Sequence, residues 1–368
     1  MPSRERTVAT FRAAIRRMSP YVPGEQPRAG TRLIKLNTNE NPYPPSPRTR
    51  RALADGADLL RLYPAPHADD LVAEAARLYR VPREMIIAGN GSDELLAMIF
   101  RAVLDPGDRV AYPTPTYSLY DTLAEIEEAR VVRVPWCEDF SLPLDKLARA
   151  RARLTIVCSP NSPSGTWTPS PRLAALASRI APRLLVIDEA YVDFAAGHAL
   201  DLARRHHNVI VLRSLSKSFS LAGMRLGLGF AQPEIIEQLI KVKDSYNLSR
   251  IAIAVGAQAL RDAAWMRRNV ERVVATRART EANLRKLGFE VPPSQANFVM
   301  ARMPGRDLAP LVGDLRKRGI LVRYFATPGL RDAMRISIGT PTEMSALIDA
   351  LRSLMASRDS KRELKRRR

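Results

Sequence analysis

The chain has 368 residues, of which 46% are hydrophobic, enough for one large and one smaller domain with a true core. Its two cysteines, Cys137 and Cys158, do not make a disulfide framework, no run approaches the ~20 apolar residues of a membrane span, and no apolar stretch long enough for a signal peptide follows the N-terminus; a cytoplasmic protein is expected. The formal net charge of +20 raises nucleic acid as a partner, but the arginines are spread along the chain and aromatics are only 6% of it, with no zinc-ligand, RNP-like or basic heptad pattern.

In chain order, residues 11–18 predict a short helix and 20–24 an extended arm. Residues 33–36 predict a strand running into Asn37-Thr-Asn-Glu-Asn-Pro-Tyr-Pro-Pro45, whose prolines and asparagines forbid a helix and set a turn. Helices are predicted over 47–60 and 69–79, and a strand over 85–88. The segment Gly89-Asn-Gly-Ser-Asp-Glu94 predicts a turn into a helix reaching about 104; its glycines permit close backbone approach, Ser92 or Asp93 can cap, and the free N–H groups at the helix start suit an anion. A strand over 109–112 leads to Tyr117; an aromatic at the C-terminal end of a strand can stack on a flat ring, whereas Tyr112 and Tyr120 read as core or rim. A strand over 155–158 ends in Ser159-Pro-Asn-Ser-Pro-Ser-Gly-Thr166, a proline-stiffened loop from which a donor can be aimed.

Buried strands are predicted over 184–188 and 209–212. The repeated strand-then-helix order from 85 to 230 argues for a mostly parallel sheet with helices on both faces. Helices over 233–242 and 251–287 lead to a second unit that begins at 294–300, with a helix over 307–318, strands over 320–322 and 334–338, and a closing helix over 341–355. The basic run at 361–368 reads as part of a solvated, disordered tail.

The strand over 209–212 ends where Ser214, Ser216, Lys217, Ser218 and Ser220 crowd together, before a second apolar run. Desolvation there lowers the proton affinity of Lys217 and makes its amine a nucleophile toward carbonyls. Ser214, Ser216 and the guanidinium of Arg225 can hold a phosphate beside it. A lysine among serine turn formers is by itself a common surface arrangement, but the preceding strand changes the balance: it ends in Asp188 with Tyr191 just beyond, and ligands of open α/β sheets bind outside the carboxyl ends of the strands. An amine for an aldehyde, a carboxylate for a pyridinium nitrogen and cations for a phosphate are the needs of pyridoxal 5'-phosphate.

These two stretches resemble the fold-type I (class I/II) pyridoxal-phosphate-dependent aminotransferases, most closely the histidinol-phosphate aminotransferase group. The resemblance implies an α/β fold with a large domain built on a mostly parallel seven-stranded-type sheet and a smaller α+β domain. It divides the chain into an N-terminal arm and small-domain segment (1–46), a large cofactor-binding domain (47–260), a C-terminal small domain (261–356) and a basic tail (357–368). It further implies that Gly91, Ser92 and Asp93 hold the cofactor phosphate, that Tyr117 stacks on the ring and that Asn39 and Glu40 lie along the substrate entrance. Tyr63 would reach into a neighbouring subunit and touch the phosphate there, making a homodimer with shared sites. The following Ala65-Pro66 departs from the family's more usual acidic residue. Arg335, alternating with apolar neighbours on its strand, would grip the anionic end of the substrate with Arg323 as partner. Tyr191 and Asn161 would tune the cofactor's phenolic oxygen. Ser162 stands where many relatives carry a second Asn, so either Asn161 or Ser162 donates.

The activity implied is transamination of histidinol phosphate with 2-oxoglutarate, giving imidazole-acetol phosphate and glutamate. Aromatic amino-acid transaminases and threonine-phosphate decarboxylases share these motifs, and a pyridoxal-binding regulator with a nucleic-acid-binding tail is the alternative from another class. His67, His198, His206 and His207 match no metal spacing, and the serines cluster around a lysine rather than a histidine, against Ser-His-Asp hydrolysis.

Overall fold

The structure, a computed structural model, describes residues 4–21, 24–27, 30 and 33–366. Positions 22 and 23 of the expected arm lie outside the described residues.

Eleven strands are described: β1 Ile34–Leu36, β2 Ile86–Asn90, β3 Arg109–Thr114, β4 Arg130–Pro135, β5 Leu154–Cys158, β6 Leu184–Asp188, β7 Val209–Ser214, β8 Leu226–Phe230, β9 Phe298–Arg302, β10 Ile320–Tyr324 and β11 Ala333–Ser337. Seven form one sheet in the order β2-β8-β7-β6-β5-β3-β4. β4, β3, β5, β6 and β7 run parallel, and β8 is antiparallel to both β7 and β2. The other four make a smaller sheet in the order β1-β10-β11-β9, so a strand from the start of the chain is stitched to strands from its end. The expected α/β architecture, a mostly parallel sheet and a smaller α+β unit, is present.

Both faces of the large sheet are covered, which is why its central strands read as unbroken apolar runs. Along β6 and β7, Leu185, Ile187, Val209 and Val211 enter one core, while Val186, Ile210 and Leu212 enter the other with Ile156, Cys158 and Tyr112. This period-two parity decides which way the last residue of each strand points. Around the small sheet, Val299, Ile336, Leu311 and Leu347 form a separate core. The helix Ala263–Lys286 serves both, with Met266 in the first core and Val273 and Leu284 in that of the small sheet.

Four local expectations change. Residues 89–90 are strand, not turn; β2 passes straight into the helix Gly91–Val103 because Gly91 takes φ +80°, a conformation open to glycine at little cost. The helical stretch over 251–287 is two helices, Arg250–Arg261 and Ala263–Lys286, that meet at Asp262 (φ −103°, ψ 37°). β4 had no counterpart in the sequence reading: it is an edge strand whose Arg130 and Arg133 mask its apolar pattern. The closing helix runs Pro341–Arg366 rather than stopping near 355, since no Gly or Pro interrupts it, so 357–366 of the expected disordered tail are helical; 367–368 lie outside the described residues. No helix among the described residues is long and apolar enough to cross a membrane.

Candidate active site

Lys217 lies three residues past the end of β7, in a turn over the C-terminal edge of the sheet. Its Nζ donates to the Thr38 carbonyl at 3.3 Å and stands 5.9 Å from the centroid of the Tyr191 ring. Burial, with the guanidinium groups of Arg335 and Arg225 adding to it, brings its pKa down to about 8 despite Glu40 and Asp93. The turn is held from outside: Asn41 Nδ2 donates to the carbonyls of Lys217 at 3.0 Å and Ser218 at 3.2 Å. It is also held from below, where Ser218 Oγ donates to Asp193, and Asp193 and Glu189 pair with the buried Arg213 at 3.5 and 3.1 Å.

Asp188 ends β6 opposite Cys158 of β5 and is 3% exposed. Burial pushes its carboxyl up to about 6, while hydrogen bonds from the Tyr120 hydroxyl (2.7 Å) and the Ala190 N–H (3.1 Å) favour the ionised form. Tyr191, edge-on to Phe298 at 4.9 Å, accepts from Asn39 Nδ2 at 3.1 Å, and burial raises its hydroxyl to about 12.

The start of the helix Gly91–Val103 meets Arg225 and β8 to form a small cradle. Arg225, itself at φ 52°, donates from Nη1 to Ser216 Oγ at 3.4 Å and from Nη2 to Asp93 Oδ2 at 3.1 Å. A Cβ on Gly91 would stand 2.6 Å from Arg225 Nη2, and one on Gly227 would stand 2.5 Å from Ser92 N. Backbone donors, hydroxyls and a guanidinium thus converge where only glycine leaves room. Ser214 turns its hydroxyl back to accept the Ser216 N–H at 3.2 Å. Tyr117 donates to Asp93 Oδ1 at 3.2 Å and sets its ring at the cradle's edge.

Asn161 does not face this space. Its Oδ1 accepts from Thr116 Oγ1 at 2.8 Å, and its Nδ2 donates to the Pro115 carbonyl at 3.2 Å and to Ser164 Oγ at 2.9 Å, so the amide is consumed in tying two loops together. The neighbouring side chain that does face the site is Ser162, whose Oγ accepts from Arg335 Nη1 at 3.0 Å. Of the two donors left open by the sequence, the geometry favours Ser162 over Asn161.

Asn39 is buried, at φ 57°, with its N–H donating to Ser337 Oγ and its carbonyl accepting from Asn297 Nδ2, both at 2.8 Å. Glu40 is partly exposed; burial raises its carboxyl, but the hydrogen bonds from Lys35 and Thr38 outweigh this and hold it below the usual range. Arg335 also donates from Nη2 to the Asn37 carbonyl at 3.0 Å, and its buried Nε has no acceptor among the described residues. Arg323 pairs with Arg335 across β10 and β11, which puts both guanidinium groups on one face of the small sheet. Tyr63 stands apart on the surface, 78% exposed and stacked at 4.7 Å on Tyr246.

Tyr120, read from the sequence as core or rim, is core but also touches the site through Asp188, while Asn41 and the buried set Arg213, Glu189 and Asp193 had no counterpart in the sequence reading. Only strand parity offered a signal: Tyr112, Cys158 and Asp188 fall on one face of the sheet, so an aromatic helix packed there had to meet the carboxylate.

The family model for aminotransferase class I and II matches residues 31–351. Histidinol-phosphate aminotransferase 1 of Nostoc sp. is 47% identical over 95% of this chain and 99% of its own. The histidinol-phosphate aminotransferase of Geobacter sulfurreducens is 46% identical over 94% and 99%. Among solved structures, histidinol-phosphate aminotransferase from Sinorhizobium meliloti in complex with pyridoxal-5'-phosphate superposes with a TM-score of 0.88 at 28% identity, covering 95% of this chain and 98% of that one. This chain belongs to the class I and II aminotransferases and, within them, to the histidinol-phosphate aminotransferase group.

Proposed function

We propose that this chain transfers the amino group of histidinol phosphate to 2-oxoglutarate, using pyridoxal 5'-phosphate bound between Lys217 and Asp188. The observation that carries the reading is that one crevice gathers a half-buried amine of lowered proton affinity, a buried carboxylate and a glycine-lined cation cradle, matching the aldehyde, ring nitrogen and phosphate of that cofactor. The residues present fit the group: without a Cβ at Gly91 and Gly227, the Arg225 guanidinium and the N–H groups at the helix start come close together as donors for a phosphate.

When bound, pyridoxal phosphate supplies the aldehyde that takes up the amino group and a conjugated ring that accepts the electron pair left on the substrate carbon. Lys217 Nζ, with its proton affinity brought near neutrality, lifts the proton from the amine-bearing carbon of the substrate and later returns one. Asp188 keeps a proton on the ring nitrogen, and Tyr117 holds one ring face. Gly91, Ser92, Ser214, Ser216 and Arg225 hold the phosphate, with Asp93 orienting Arg225. Arg335, with Arg323, binds the anionic end of the substrate, while Asn39 and Glu40 border its entrance. A second copy of this chain docks over Tyr63, Leu60 and Leu62, all exposed, and each Tyr63 completes the partner's cradle.

A single-turnover experiment tests this. The purified, cofactor-loaded protein is mixed separately with histidinol phosphate, phenylalanine and threonine phosphate, and its visible absorption is followed. Fast loss of the band with histidinol phosphate alone is expected. Reaction with phenylalanine or threonine phosphate instead would keep the cofactor and overturn the substrate; no visible band at all would overturn the cofactor.

A further inference from the structure

The phenol of Tyr120 ends against the one carboxylate that the site depends on. Asp188 shares a sheet face with Cys158 and Tyr112, and the helix Leu119–Ile126 covers that face. Tyr120, its second residue, is 0% exposed, with its ring 5.6 Å from that of Tyr112 and 5.7 Å from that of Tyr117. From this slot the hydroxyl donates to Asp188 Oδ2 at 2.7 Å. A hydrogen bond to an ionised acceptor in dry surroundings is roughly twice as strong as a neutral one. The other groups facing Asp188 are Cys158 on β5, Tyr117 ahead of the helix, Tyr191 beyond β6 and Asp93 on the helix Gly91–Val103. Of these only Asp93 carries charge, and it has the same sign as Asp188. Tyr120 and the Ala190 N–H are therefore the two donors that oppose burial.

We propose that Tyr120 is a positioning residue for the cofactor ring: by donating to Asp188 it keeps that carboxylate ionised and fixed in orientation toward the crevice. The inference rests on Asp188 being the partner of the ring nitrogen, as assigned above. Removing the hydroxyl leaves Oδ2 without its side-chain donor, so the carboxyl takes up a proton more readily and must release it before it can pair with a protonated ring. The resulting loss of affinity grows as the pH falls, which a purely packing role would not produce.

The test is a double-mutant cycle of Tyr120→Phe and Asp188→Asn in the full chain, stripped and titrated with pyridoxal 5'-phosphate at pH 6.5 and 8.5. Tyr120→Phe is expected to weaken binding about ten-fold at the lower pH and less at the higher, and by under about two-fold in the Asp188→Asn background. An unchanged affinity, a loss independent of pH, or an equal loss in both backgrounds would overturn the proposal. If Tyr120→Phe alone does not fold, the double variant compared with Asp188→Asn leaves no buried charge unpaired, and a change above two-fold there overturns it equally. Asp188→Asn binding as tightly as wild type would instead bring down the assignment of Asp188, and that single variant reports it separately.

Discussion

Arg335 donates from Nη1 to Ser162 Oγ at 3.0 Å, a bond that joins β11 of the small sheet to the loop behind β5 of the large one. Its Nη2 is taken by the Asn37 carbonyl, which leaves the buried Nε as the edge offered to an anion. Arg335→Ala is expected to raise KM for a phosphorylated amino substrate about 100-fold, in line with about 2–3 kcal/mol for a charge-assisted contact. Arg335→Lys should recover little, because a point charge cannot keep the Ser162 and Asn37 bonds and serve the ligand. Steady-state kinetics with histidinol phosphate checks both; equal KM in all three proteins would remove Arg335 from the substrate site.

Lys217 is held from an ordinary pKa of 10.5 down to about 8, chiefly by burial. Below about 8 the amine is protonated in both folded and unfolded chains, and its burial cost is present in full. Between about 8 and 10.5 the folded chain has released the proton while the unfolded chain retains it, so stability rises with pH through that window. Lys217→Met therefore should be more stable than wild type at pH 7 when both are cofactor-free, with the difference closing by about pH 10.5. Urea unfolding across pH 7–10.5 measures it, and a constant difference would show that the lysine is not desolvated.

Gly227 lies against the start of the helix Gly91–Val103, with no room for a methyl group between β8 and the backbone of Gly91 and Ser92. Gly227→Ala is expected to cost about 1–3 kcal/mol of stability and to weaken pyridoxal phosphate binding, since backbone rather than a flexible side chain must move. Gly313→Ala, where a Cβ meets nothing within 4 Å, is the control and should be neutral or slightly stabilising.

Asn161 and Ser162 separate support from contact. Asn161→Ala removes three hydrogen bonds within the loops and is expected to lower stability by about 2–3 kcal/mol. Ser162→Ala should leave thermal unfolding nearly unchanged and raise KM. The reverse pattern would return the contact to Asn161.

Sharing of sites between two copies has a quantitative signature. Tyr63→Ala and Lys217→Ala are each expected to be impaired, and mixing them after subunit exchange should restore about one quarter of wild-type activity, because half the dimers then hold one intact site. No recovery would place Tyr63 outside the partner's site.

What the sequence alone determined lies at strand ends and in local chemistry. The apolar runs that end in Asp188 and at the Lys217 turn are central strands with both faces covered, and such strands announce themselves without a partner in view. The glycine at 91, the Tyr191 that follows β6 and the Asn37–Pro45 segment were legible for the same reason, because each needs only its neighbours, whereas Gly89 was read as turn and is strand. β4 was hidden because charged residues on an edge strand blur the alternation that identifies it. The tertiary structure alone decided which side chains meet. Tyr120 reaches Asp188 across 68 positions only because a helix crosses the face set by strand parity, and Asn161 turns inward because Thr116 and Ser164 already satisfy its amide. Arg335 finds Ser162 because β1 from the start of the chain and β9 to β11 from its end fold into one sheet over the crevice. Pairings of this kind depend on the closure of long loops and on burial that no local pattern encodes.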